Sequence, residues 1–399
     1  MTERLRVENV YKVFSNTPQK AMERLAAGAD KDAVQAELGV VVGLNDVSLS
    51  VPTGAIYMIM GLSGSGKSTL ARCVNRLYEP TAGRILLDGE DIVQLNQNEL
   101  RQVRRTRISM VFQHFALLPN RTAIENVEFG LKLRGLVPKK RRARAEEVLA
   151  IVGLDRWAYH FPHELSGGMR QRVGLARALA TDADVLVMDE AFSALDPLIR
   201  NEMQDELLRL QHSLKKTILF ITHDFQEALK LGNMIAIMAD GRVMREGTPQ
   251  SIVLDPGTDY VAAFTNDVDR SRLFDAASVM RPGSAVAERD GIRVIAASST
   301  GGFAVDTKAR ILGRLDEAGL AKAKDGADIR AVLAPDFVSV APDSKLLDVA
   351  RKCRGIEDLA VTDSEGTFLG VLSPASILTA IAASSNAGQE RHLEEKRHA

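Results

Sequence analysis

The sequence predicts an α/β fold to about residue 265, followed by a smaller α+β unit, and three observations carry the prediction. Short runs dominated by apolar residues (Ala55–Met60, Val185–Met188, Thr217–Thr222) have the length and composition of strands buried on both faces. Helical patterns alternate with them, as in a sheet covered by helices. Further on, Ile311–Ala323 (ILGRLDEAGLAKA) overlays Phe368–Ala380 (FLGVLSPASILTA) at an offset of 57. In each block a strand ending in Leu-Gly turns into a helix, which reads as two copies of one small unit.

The elements follow in order. Residues 4–14 alternate as a strand, and Asp46–Pro52 alternates again. Between them, Ala21–Ala27 reads as a helix stopped by Gly28. Asp32–Leu38 reads as a second, opened by an aspartate cap and stopped by Gly39. Ala55–Met60 is a buried strand, and an apolar helical pattern (Leu70, Val74, Leu77) comes after it. Residues 84–95 read as a hairpin turning at Asp88-Gly89. From about 113 to 178 the pattern is mostly helical, and 198–215 is a long polar helix between two buried strands. Ile235–Met238 and Arg242–Arg245 flank Asp240-Gly241, a second hairpin signal. Thr265–Arg272 is polar and marks the change of composition.

Composition excludes several classes. The chain has 399 residues, 45% hydrophobic and 26% charged, which fits a globular protein with more than one core. Its 51 basic and 52 acidic residues leave a net charge of −1, without the basic surplus of a nucleic-acid binder. No apolar run approaches the roughly 20 residues of a membrane helix, and no signal peptide is expected at MTERLRVENV. Cys73 and Cys353 lie in no metal-binding spacing, which fits a reducing compartment. Six basic residues crowd Arg134–Arg144 and read as a solvated face.

Three segments carry chemistry. Gly61-Leu-Ser63-Gly64-Ser65-Gly66-Lys67-Ser68-Thr69 follows a buried strand and precedes a helix. Glycines there let backbone N–H groups converge on phosphates at a helix N-terminus. Lys67 supplies charge to β- and γ-phosphates, and Ser68 can ligate Mg²⁺. Val185–Glu190 ends an apolar strand in two acids, a pattern that calls for a cation or a reacting water. Asp189 is the candidate Mg²⁺ partner and Glu190 the candidate general base. Leu165-Ser166-Gly167-Gly168 precedes another helix and forms a second anion cradle. One nucleotide does not need two cradles, so a second copy of the chain is expected to present Ser166–Gly168 to the first copy's ATP.

With these segments the sequence resembles the ATP-binding-cassette (ABC) ATPases. The resemblance implies a P-loop NTPase cassette with a RecA-like core, an antiparallel β subdomain and a helical subdomain, using ATP and Mg²⁺. It makes Gln113 a Q-loop glutamine that senses Mg²⁺ and water, and Asp196 (in SALD) part of a loop crossing a dimer interface. His223 becomes the histidine that contacts the γ-phosphate. Phe14 becomes the aromatic that stacks on adenine, with Tyr11 a competitor for that place. The insert at 15–42, MDEAFSALDPLIR and DVDRSR further resemble the ATPase subunits of glycine betaine/proline importers. That implies a homodimer of cassettes on the cytoplasmic face of the cell membrane, working with an integral membrane permease and an external binding protein. The expected boundaries are a cassette at 1–265, a linker at 266–275, a CBS domain pair at 276–386 with a degenerate first copy, and a flexible end at 387–399. Two alternatives are weaker. One is the ATPase of another small-solute importer. The other is a soluble DNA- or ribosome-linked ABC ATPase, disfavoured by a single cassette without sustained heptads.

Overall fold

Strands with no solvent-facing side must be apolar throughout, and Ile56–Met60, Val185–Asp189 and Thr217–Thr222 are buried at every position. In the computed structural model they lie side by side in a six-stranded sheet. Its order is Arg242–Gly247, Met234–Ala239, Ile56–Met60, Thr217–Thr222, Val185–Asp189, Ile108–Val111. Every pairing is parallel except the edge hairpin of Met234–Ala239 with Arg242–Gly247. The parallel arrangement brings the C-terminal ends of Ile56–Met60, Val185–Asp189 and Thr217–Thr222 to one edge, where Gly61, Glu190 and His223 follow. The described residues are 2–112, 116–193, 195–266, 268–298, 301–353 and 358–382. Gln113 and the expected end segment 387–399 fall outside them.

The chain divides into two units after Val261. In the first, a four-stranded antiparallel sheet runs in the order Val41–Pro52, Glu3–Phe14, Ala82–Leu87, Glu90–Asp91. Leu5, Val7, Val10, Leu44 and Val47 on this sheet join Leu70, Val74 and the inner strands in one core. Burying each such side chain contributes about 1.5–3 kcal/mol before entropy is counted. The hairpin turns at Asp88-Gly89 with both residues at positive φ, 49° and 84°. Its second arm is only Glu90–Asp91, shorter than the expected 84–95 span, and Ile92 turns into the core instead.

The expected helical insert forms as Gln19–Ala26 and Lys31–Leu38. Asp30 caps the second helix, accepting from Ala33 N at 2.7 Å, and Gly39 ends it at φ 65°. Ala21, Leu25 and Val34 pack with Val13 and Val42. The helical stretch resolves into Ala123–Leu133, Pro138–Ile151 and Gly167–Ala180. Arg141 and Arg142 in the basic cluster both pair with Glu128.

The second unit holds two sheets. Ser284–Arg289, Ile292–Ser298, Gly301–Val305 and Ile311–Asp316 form an antiparallel meander, followed by the helix Glu317–Lys324. Ser339–Val340, Leu359–Thr362 and Phe368–Leu372 form a smaller mixed sheet with the helices Leu346–Lys352 and Pro374–Ala382. The 57-residue repeat pairs the strand and helix that end each half. Upstream the halves differ: a hairpin, Ser284–Ser298, precedes the first, and a strand and helix precede the second. Arg270–Leu273, within the expected linker, is a short helix with Ser271 and Leu273 buried.

Candidate nucleotide site

The loop after Ile56–Met60 is shaped by what stands behind it. Gly61 has φ 147°, and a Cβ there would stand 2.1 Å from Met238 O; Gly66, at φ 102°, would place one 2.6 Å from Gly43 O. Only glycine allows both the conformation and the approach. The Asp240-Gly241 hairpin braces the loop: Gly241 N donates to Ser65 O at 3.1 Å. Tyr260 bridges the same pieces, its hydroxyl accepting from Leu62 N and donating to Met238 O. Gly66 then caps the helix Lys67–Val74, which stops before Leu77. Leu77, expected on that helix's apolar face, is therefore exposed.

Lys67 is 6% exposed. Its Nζ donates to Gly61 O and Leu62 O at 2.8 Å each and to Ser65 Oγ at 3.4 Å. Burial pushes its pKa down, while Glu190 and Asp189 push it back up. Ser63 and Gly64 stand at the exposed tip of the loop.

Ser68 Oγ donates to Asp189 Oδ1 at 2.9 Å. Asp189 is 1% exposed, and burial raises its pKa despite the opposing Ser68 hydrogen bond. Two hard oxygen donors, one a buried carboxylate that a cation would relieve, fit Mg²⁺ bound with water and phosphate oxygens. Among the described residues no group of three or more His, Cys, Asp or Glu could hold a metal by itself.

Glu190 follows Asp189 with φ 49°, a left-handed conformation unusual for its type. The turn aims its carboxylate at His223, with Oε2 3.3 Å from Nδ1. His223 sits just past Thr217–Thr222 with its side chain 60% exposed. The three strand ends therefore place Lys67, Asp189, Glu190 and His223 around one mouth.

Phe14 is 41% exposed at the end of its strand. Gly43 lies between it and Thr69: a Cβ on Gly43 would stand 2.8 Å from Phe14 Cε2 and 3.0 Å from Thr69 Cγ2. Phe14 thus flanks the phosphate loop, whereas Tyr11 packs against the helical insert.

Ser166 caps the helix Gly167–Ala180, its hydroxyl accepting from Met169 N at 3.3 Å. A Cβ on Gly167 would meet nothing within 4 Å. Asp196 caps the helix Pro197–Leu214 through Ile199 N at 3.1 Å. Sequence reasoning passed over Tyr260, Gly43 and the bracing role of the Asp240-Gly241 hairpin. Their contacts span from 22 to 198 positions, and no local pattern announces them.

Comparison with known proteins agrees with this geometry. The family model described as ABC transporter matches residues 44–193, and that described as CBS domain matches 329–383. The chain is 42% identical to the glycine betaine transport ATP-binding protein OpuAA of Bacillus subtilis, over 95% of this chain and 92% of the relative. It is 44% identical to the glycine betaine/carnitine transport ATP-binding protein GbuA of Listeria monocytogenes, over 95% of this chain and 97% of the relative. A solved dimeric structure of the ATP-binding cassette MJ0796, bound to ADP and Pi, is 33% identical with a TM-score of 0.54. It covers 61% of this chain and 98% of that one.

Proposed function

Since the chain belongs to the family of ABC transporter ATP-binding subunits that includes these glycine betaine proteins, we propose that it hydrolyses ATP to drive uptake of an osmoprotectant quaternary amine, or proline, through a membrane permease. The observation that carries the chemistry is the convergence of Lys67, the Ser68–Asp189 pair and the Glu190–His223 pair at three adjacent strand ends. Related proteins named for glycine betaine, carnitine and proline betaine align over nearly the whole chain. One named for methionine import aligns over 67% of it at 38% identity, which favours the amine class.

Loop N–H groups and Lys67 bind the phosphates, and Phe14 stacks on the adenine. Ser68 and Asp189 hold Mg²⁺, with Gln113 as the further expected ligand. When bound, the ion supplies neutralisation of charge developing on the phosphoryl oxygens. The Glu190 carboxylate accepts a proton from the attacking water, a role worth about 10²–10⁴ in rate. His223 orients that carboxylate and reaches the γ-phosphate. Ser166–Gly168 and Asp196 meet the nucleotide of a second copy, so ATP holds two cassettes together and hydrolysis releases them. That difference in binding shifts the permease between its states. The proposed site of action is the cytoplasmic face of the cell membrane, with solute choice left to the permease and an external binding protein. The proposed organisation keeps a cassette to 265, a linker at 266–275 and a CBS-type regulatory pair at 276–386, its first copy altered.

Glu190→Gln is expected to bind ATP, lose turnover and accumulate as a dimer, read by light scattering with ATP present. A variant that stays monomeric with ATP sinks the sandwich or the base. Uptake by the reconstituted transporter, assayed across betaine, choline, proline and methionine, tests the substrate class.

A further inference from the structure

Gln171 lies one turn into the helix Gly167–Ala180 and is 2% exposed. Its Nε2 donates to the backbone carbonyl of Glu190 at 3.2 Å. Its Oε1 is buried without a hydrogen-bond partner among the described residues. An amide buried with its acceptor unused costs about 1–3 kcal/mol, so filling space does not account for an amide here. The contact also fixes the amide's orientation, because the swapped form would set oxygen against oxygen.

The same Glu190 carbonyl accepts from Ser193 N at 3.3 Å and Ser193 Oγ at 3.0 Å, while Glu190 N donates to Ile221 O at 3.0 Å. Both peptide planes flanking Glu190 are thus held. A left-handed φ at a non-glycine residue is unfavourable by about 1 kcal/mol or more, and these bonds keep it there. The held backbone sets the direction of the Cα–Cβ bond, and with it the approach of the carboxylate to His223.

We propose that Gln171 is a positioning residue for the general base, holding Glu190 through its backbone carbonyl. The inference rests on the reading of Glu190 as base and of Ser166–Gly168 as the cradle for a second copy's nucleotide. It adds that one helix serves both ends. The helix whose N-terminus meets the partner's ATP also sets the base of its own chain.

In the full chain, Gln171→Met keeps the volume and removes the donor. The expected result is a kcat lower by about 10–100-fold, about 1.4–2.7 kcal/mol, with KM for ATP changed by less than about twofold. The Gln171→Met/Glu190→Gln double variant should still pair with ATP as Glu190→Gln does. Ser193→Ala, an exposed change on the same carbonyl, should also lower kcat, and less than additively with Gln171→Met. An unchanged kcat in Gln171→Met overturns the proposal. Loss of ATP-driven pairing in the double variant overturns it too, because Gln171 would then be supporting the cradle. Should Gln171→Met fail to fold, Ser193→Ala decides, and an unchanged kcat there is fatal. Failure of Glu190→Gln alone to pair would instead sink the underlying reading.

Discussion

The two anion cradles of this chain are built to opposite plans. Around Gly61–Thr69 the glycines are crowded from behind by Met238 O and Gly43 O, and Lys67 is folded into the loop's own carbonyls. Around Ser166–Gly168 a Cβ on Gly167 meets open space, and the Ser166 hydroxyl, among the described residues, caps its own helix. The ionisable groups follow the same division. Lys67 and Asp189 are buried at the first cradle and Glu227 is buried against Thr222, at the end of a neighbouring strand, whereas Ser166, Gly167 and Gly168 bring no charge to the second. The first cradle is complete within one chain. The second offers N–H groups and a hydroxyl and leaves the rest to be supplied, which fits a surface that closes on a second copy's nucleotide.

The contrast is broken or sharpened most directly by adding one methyl group to each cradle. Gly61→Ala forces a Cβ against Met238 O at a φ that L-residues avoid, and should cost about 3 kcal/mol or more of stability. ATP binding at Lys67, followed by calorimetry, should fall below detection. Gly167→Ala meets nothing and occupies the first turn of a helix, so unfolding free energy should stay within about 0.5 kcal/mol of wild type. ATP binding should persist while ATP-driven pairing is lost. Equal damage from the two substitutions would mean that the cradles are not different in kind. Ser166→Arg extends the test with bulk and charge: turnover should stop with binding at Lys67 intact, and lost binding would point to the fold instead.

Much of the first cradle was legible because its chemistry is local. Glycine spacing, a lysine at the helix start and two acids ending an apolar strand each lie within a few residues. The parallel strands then had no choice but to bring those ends together. What escaped was the bracing. Tyr260 reaches Leu62 N across 198 positions, and Gln171 reaches Glu190 O from another helix. Hydrogen bonds of that range leave no periodicity. Smaller misses have local causes: Arg76, at φ 48°, turns the chain before Leu77 can extend its helix. The second unit was legible only as a repeat. The strand–helix blocks at 311–323 and 368–380 align, but nothing in the alternation of 284–298 revealed a hairpin where the second half has a strand and helix.

A smaller effect is expected at the base-facing edge of the first cradle. Phe14→Ala removes the exposed ring beside Thr69, and base–aromatic stacking is worth about 1–3 kcal/mol. KM for ATP should therefore rise about 5–100-fold with kcat little changed. Tyr11→Phe, which keeps the packing against the helical insert, should leave KM alone. The reverse pattern would move the adenine contact to Tyr11 and detach Phe14 from the cradle.

The smallest effect tests the charge buried behind the first cradle. Glu227 accepts from Gln204 Nε2 at 3.0 Å and is hydrogen-bonded to Thr222, yet burial dominates and raises its carboxyl pKa. Asp224 adds to the rise and Arg200 opposes it. A carboxyl with a higher pKa folded than unfolded binds its proton more readily in the folded state. Its contribution to stability is therefore least favourable above the raised value and improves as pH falls through it. Glu227→Gln keeps the shape, can present its oxygen to Gln204 and its amide to Thr222, and carries no charge. The nucleotide-free variant should melt above wild type at neutral pH, by less than any change above, and its advantage should shrink as the solution is acidified. A variant that melts lower at every pH would show that the charge is held by its partners at no cost. The buried charge that sets the first cradle apart from the second would then be confined to Lys67 and Asp189.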